Sequence, residues 1–215
     1  MLKNDEFILY LKELFPVAKC ELNFGSTFQL LVAVILSAQC TDKRVNMVTE
    51  KLFQKFSTAQ DFAILKQEEL EQLIKPCGFY HNKAKHIIQA SKDIVNYHNG
   101  QVPSNYDSLL ALSGVGRKTA NVVSATAFNT NVVAVDTHVL RVSNRLGFSN
   151  SSNPNVTEQD LTKRFKTNLA DLHYRMVLFG RYYCKAQKPL CETCKLKNDC
   201  LYYKAKANKI NKKSK

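Results

Sequence analysis

Three groups of residues in this 215-residue chain have the types and spacing to do chemistry. The first is Ser113-Gly114-Val115-Gly116-Arg117-Lys118, which sits between the apolar stretch from Leu109 and the apolar run to Val123. Glycine accepts positive φ and carries no side chain to block a close approach. Gly114 and Gly116 therefore suit a tight turn that exposes backbone N–H groups at the start of a second helix, a ready site for phosphate. Arg117 and Lys118 fall on that first turn, where the helix dipole disfavours cations. Two chemistries would explain them. They meet a nucleic-acid phosphate, or the neighbouring cation and the dipole keep Lys118 partly neutral so that its amine attacks carbon. The second group is Cys184, Cys191, Cys194 and Cys200, separated by six, two and five residues. Four thiolates in one short polar loop hold either a tetrahedral zinc or a [4Fe–4S] cluster, and spacing alone does not choose. The third is Asp136 in Val135-Asp136-Thr137-His138-Val139. An aspartate there reads as the cap of the following helix, its carboxylate held rigidly with a low pKa.

The elements that must carry these groups are helical throughout. Residues 5–14 place Phe7, Ile8, Leu11 and Leu14 at helical spacing, and Pro16 ends the element. Ser26 with Gln29 has the form of a capping box, opening a helix over 28–37 that is apolar nearly all round and so belongs at the centre of a core. Ser37 to Asp42 is a polar break, after which Thr41 or Asp42 caps a helix with Val45, Val48, Leu52 and Phe56 on its inner face. Two short helices over 59–65 and 67–74 close at Pro76-Cys77-Gly78. Phe79 to Asn82 reads as an aromatic loop before an amphipathic helix over 83–98. Asn105 or Asp107 begins the first hairpin helix, and residues 117–127 form the second. Val132 to Val135 is rich in β-branched residues but short and without a partner, so it is read as non-strand. After a polar loop over 147–156, Thr157 with Asp160 resembles another cap, Leu161, Phe165, Leu169 and Leu172 mark one helix face, and a further helix runs through Met176 and Phe179. The fold class is all-α.

Composition narrows the partner. The net charge is +13, and removing the six lysines of residues 204–215 still leaves +7, so the body as well as the tail is drawn to a polyanion. The longest apolar run, Phe28 to Leu36, is broken by Gln29 and is too short for a membrane span. The first residues lack a signal-peptide pattern. The expectation is a cytoplasmic, nucleoid-associated protein with reduced thiols and no membrane partner. There, Cys20, Cys40 and Cys77 are small, buried or half-buried residues without a metal role.

Taken together and in this order, the hairpin, the Val-Asp-Thr-His segment and the four cysteines resemble the endonuclease III family of DNA glycosylases, from about Phe24 to Tyr203. The resemblance implies a helix-hairpin-helix DNA glycosylase fold of two helical lobes with a cleft between them. One is a six-helix lobe over residues 21–130, with its hairpin at about 107–127. The other joins residues 1–20 to 131–203 and ends in a [4Fe–4S] loop, while 204–215 form a disordered basic tail. It further implies that Lys118 is the Schiff-base lysine, that Asp136 is the catalytic aspartate, and that Cys184, Cys191, Cys194 and Cys200 hold a [4Fe–4S] cluster. Gln39 and Phe79 would fill the gap left by an extruded base, and Gly114, Gly116, Arg117, Lys185 and Lys188 would meet DNA. His138 is read as structural. The implied activity is that of a monomeric, bifunctional base excision repair enzyme acting on double-stranded DNA. It removes oxidised pyrimidines and cleaves abasic sites by β-elimination. Two departures stand out: Ser113 replaces a proline common in the hairpin, loosening the turn, and Phe79 stands where leucine is frequent. An adenine-mismatch glycosylase is disfavoured by Lys118, and a non-catalytic binding module by the presence of both Lys118 and Asp136.

Overall fold

The computed structural model describes residues 2–213. The chain divides into two compact units, Cys20–Thr130 and a second made from Met1–Lys19 with Asn131–Lys215.

The Cys20–Thr130 unit holds α2 (Thr27–Leu36), α3 (Asp42–Lys55), α4 (Ala59–Ala63), α5 (Gln67–Ile74), α6 (Tyr80–Tyr97), α7 (Tyr106–Ala111) and α8 (Arg117–Ala127), with a 3₁₀ turn at Lys75–Cys77. These are seven α-helices rather than six, α4 being little more than one turn. As its composition demands, α2 buries every residue from Leu30 to Leu36 and packs against α3, α6 and α8. Each such aliphatic side chain contributes about 1.5–3 kcal/mol of transfer free energy. Ser26 Oγ accepts from Gln29 N (3.2 Å), but the Gln29 amide answers to Gly25 N (2.6 Å) rather than to Ser26, so the capping box is offset by one residue. Thr41 and Asn105 cap α3 and α7 through Arg44 N (3.4 Å) and Ser108 N (3.0 Å). The expected aromatic loop is shorter than its sequence suggests. Phe79 enters the left-handed region at φ +48°, and α6 begins at once with Tyr80.

In the second unit, α1 (Asn4–Leu14) packs on α11 (Leu169–Leu178), alongside α9 (Thr137–Leu146), α10 (Pro154–Phe165) and α12 (Leu201–Lys213). Phe7 and Leu11 of α1 are fully buried with Val139, Val142, Leu161, Leu169 and Met176. Phe7 meets the Phe148 ring at 4.8 Å and the Phe165 ring at 6.0 Å. The apolar face from Leu161 to Leu172 is two helices, not one. Lys166 (φ +60°) and Asn168 (φ +55°) turn the chain between α10 and α11. Asn153, with Pro154 behind it, caps α10 in place of Thr157, which is buried and shares the Ser149 hydroxyl (3.2 Å). The stretch through Phe179 leaves α11 as a π turn, Phe179–Tyr183. The tail expected to be disordered is helical as far as Lys213, because Leu201, Tyr202 and Tyr203 start α12 against α9; Ser214 and Lys215 lie outside the described residues. Val132 to Val135 forms no strand. Among the described residues, no helix is long and apolar enough to cross a membrane.

Candidate functional site

The hairpin is built from buried anchors outward. Leu109, Leu112 and Val115 are buried, and Val115 N closes the turn on the Leu112 carbonyl (3.1 Å). The two glycines serve different ends. Gly114 has φ +75°, and a Cβ there would stand 2.6 Å from His86 Cβ on α6, so both backbone and packing demand glycine. Gly116 has ordinary extended backbone (φ −86°), and a Cβ would meet nothing within 4 Å. Its missing side chain leaves open the approach to the α8 N-terminus, which has no side-chain cap. Arg117 and Lys118 are exposed on that first turn. Tyr106 Oη donates to the buried Asn121 side chain (2.7 Å), fastening α7 to α8. Ser113 does not loosen the turn as expected, since its hydroxyl bonds His86 Nδ1 (2.9 Å) and ties the hairpin to α6.

Two further loops of the same unit carry Gln39 and Phe79. Both residues are exposed and both adopt left-handed backbone, at φ +53° and +48°. Phe79 leaves 64% of its surface open, unusual for a phenylalanine and inconsistent with core packing.

In the second unit, Asp136 caps α9. Its Oδ1 accepts from His138 N (2.9 Å) and Val139 N (2.8 Å), fixing the carboxylate at the helix N-terminus. Arg141 Nη2 donates to His138 Nδ1 (3.2 Å), which requires that ring nitrogen to be unprotonated and supports a structural histidine. The same arginine donates to the carbonyls of Gly180 (2.6 Å) and Cys184 (3.2 Å), and burial lowers its pKa. One turn on, Arg145 donates to the carbonyls of Lys185 (2.7 Å) and Ala186 (3.1 Å), touches Cys184 Sγ (3.4 Å), and stacks on the Tyr202 ring (4.1 Å). Composition and motif gave no sign of these arginines; their i, i+4 spacing on the helix that Asp136 caps was the available signal.

Cys184, Cys191, Cys194 and Cys200 line one pocket, open at its mouth, with Leu146 and Phe179. Burial raises the thiols of Cys191, Cys194 and Cys200. Among the described residues, no three Cys, His, Asp or Glu side chains converge on a single-ion position. Lys185 and Lys188 are exposed on the same loop. Thus Gln39, Phe79, Gly114, Gly116, Arg117 and Lys118 belong to the Cys20–Thr130 unit, and Asp136, the four cysteines, Lys185 and Lys188 to the other.

A family model described as HhH-GPD superfamily base excision DNA repair protein matches residues 32–167. Endonuclease III of Bacillus subtilis (strain 168) is 48% identical over 203 residues, spanning 93% of this chain and 92% of that protein. The Escherichia coli (strain K12) enzyme is 43% identical over 201 residues, spanning 93% and 95%. The chain belongs to the endonuclease III family. It is therefore a base excision DNA repair enzyme, a DNA glycosylase and abasic-site lyase. A solved structure of a trapped endonuclease III–DNA covalent intermediate superposes with a TM-score of 0.91 at 44% identity, covering 96% of this chain and all of that one. A non-covalent endonuclease III–DNA complex gives 0.90 at 45%.

Proposed function

We propose that this chain binds damaged double-stranded DNA as a monomer in the cytoplasm, at the nucleoid, excises oxidised pyrimidines, and cuts at the resulting abasic site by β-elimination. The observation that carries the reading is Lys118. It is an exposed amine on an uncapped helix N-terminus beside the open Gly116, in a chain 44% identical to one trapped covalently on DNA. In this scheme the backbone amides at the start of α8, with Arg117, take a phosphate. Lys185 and Lys188 add charge, while Gln39 and Phe79 fill the space left by the extruded base. As the C1′–N bond breaks, the sugar gains oxocarbenium character that the Asp136 carboxylate stabilises. The Lys118 amine forms the new bond to C1′, the base leaves with the electron pair, and loss of a proton and ring opening give an iminium. The iminium acidifies C2′–H. Loss of that proton expels the 3′ phosphate, and water then hydrolyses the iminium, restoring Lys118. The test is borohydride trapping on a duplex carrying thymine glycol. A reduced protein–DNA adduct with wild type and none with Lys118→Ala is the expected result, and no adduct with wild type despite DNA binding overturns it.

We infer, too, that Cys184, Cys191, Cys194 and Cys200 hold a [4Fe–4S] cluster. Four thiols lining one pocket supply the one thiolate per iron that such a cluster takes. Bound iron would take these groups as thiolates, and would close a loop with little apolar content of its own. Iron and sulfide content per chain, with absorbance near 400 nm, is the test; a colourless zinc protein prepared without oxygen overturns it.

A further inference from the structure

Lys83 is a lysine in the wrong place by every local rule. It lies on the first turn of α6, where the helix dipole opposes a cation, yet it is only 5% exposed. Taking an ammonium out of water costs several kcal/mol unless it is well compensated. Its Nζ donates to the carbonyls of Leu36 (2.8 Å) and Cys77 (2.9 Å). Leu36 is the last residue of α2, so its carbonyl is among those a helix leaves without an intrahelical partner, at the negative end of the dipole. Cys77 ends the 3₁₀ turn before Gly78. The Cys40 and Cys77 thiols lie near enough to feel the charge, and desolvation lowers the lysine's pKa.

The two carbonyls are far apart in sequence, and each immediately precedes a loop with left-handed backbone. One loop presents Gln39 and the other presents Phe79. We propose that Lys83 is a positioning residue. Its buried ammonium clamps the α2 C-terminus to the 3₁₀ turn and so fixes the spacing between Gln39 and Phe79 as they enter the duplex. This inference rests on the reading that those two side chains fill the gap left by the extruded base. A cap on α2 needs only one carbonyl and no burial; spanning both loops with one rigidly held charge is what the burial accomplishes.

The experiment compares two substrates. A thymine glycol in duplex DNA must be unpaired and extruded, whereas a preformed abasic site has no base to extrude. Lys83→Met removes the buried charge, keeps a chain of similar length and leaves the Leu36 and Cys77 carbonyls without their donor. Single-turnover excision of thymine glycol is expected to fall about 30-fold, while borohydride trapping at the abasic site changes less than about 3-fold. The fluorescence of a 2-aminopurine beside the lesion, which reports unstacking, should fall in parallel. Lys83→Arg, which keeps donors for both carbonyls, should recover most of the excision. Equal losses on both substrates, no loss on either, or failure of both variants to melt cooperatively would overturn the proposal. Gln39→Ala and Phe79→Ala separate the layers. If neither lowers excision selectively, the gap-filling reading itself fails; if they do and Lys83→Met does not, only the clamp fails.

Discussion

Arg145 donates to the Lys185 carbonyl at 2.7 Å, so the cysteine loop is anchored to the helix whose first turn is capped by Asp136. With Arg141 on the same helix holding the Cys184 carbonyl, α9 is a rigid rod between the proposed catalytic carboxylate and the proposed cluster. Replacing Arg145 by Met keeps the stem packed and removes the donors. Hydrogen bonds to a charged group contribute about 1.5–3 kcal/mol. The expected outcome is a less stable second unit and a fall in iron per chain, read by metal analysis and absorbance near 400 nm, with the Cys20–Thr130 unit unaffected.

The hairpin glycines give opposite expectations. Gly114→Ala forces a Cβ against His86 at a positive φ and should cost about 2 kcal/mol or more, seen in thermal melting. Gly116→Ala meets open space, so stability should change by less than about 0.5 kcal/mol. Its penalty should appear as weaker DNA binding in a salt-dependent titration, because the methyl group stands where a phosphate would approach.

Removing Lys118 separates binding from chemistry. Lys118→Ala should retain DNA affinity within about 10-fold, since one phosphate-range charge is a fraction of the total electrostatic attraction. Turnover should disappear. Loss of folding or of binding instead would make the lysine structural.

A pH effect on folding is expected at α4. Asp61 accepts from the backbone N–H groups of Ser57 and Thr58, both at 2.9 Å, and these bonds hold its carboxyl below the ordinary value of 3.8. A depressed carboxyl stabilises the fold above its unfolded pKa and loses that contribution as pH falls through the folded one. Asp61→Asn should therefore cost about 0.5 kcal/mol at neutral pH, small because the site is open to solvent, and the gap from wild type should close below pH 3.8. Urea unfolding at a series of pH values measures both.

Much of the site is legible in the sequence because it depends on local rules. Gly114 is demanded by its own φ, Asp136 caps the helix it precedes, and the uniform apolarity of α2 dictates central burial. What escaped depends on partners distant in sequence. Lys83 looks like any helix-face lysine until Leu36 and Cys77 fold over it. Arg141 and Arg145 acquire their role only when the cysteine loop returns to α9. Ser113 is a missing proline in the sequence and a hydrogen bond to His86 in the structure. The break between α10 and α11 was hidden because Leu161 to Leu172 keep helical phase across Lys166–Asn168, whose positive φ values no glycine announces.

The pairing of α1 with the far half of the chain has a consequence during synthesis. Asn4 bonds the Arg164 carbonyl (2.9 Å), Arg164 reaches back to the Leu2 carbonyl (2.7 Å), and Arg175 holds the Phe15 carbonyl. Residues 20–130 are made between α1 and the helices it packs on, so α1 must wait for α10 and α11. At about 5–20 residues per second, a separation of 160 residues keeps Phe7, Tyr10 and Leu11 uncovered for about 10–30 s. During that interval the nascent chain carries the apolar face of α1 uncovered, and it is closed only when α10 and α11 have been made.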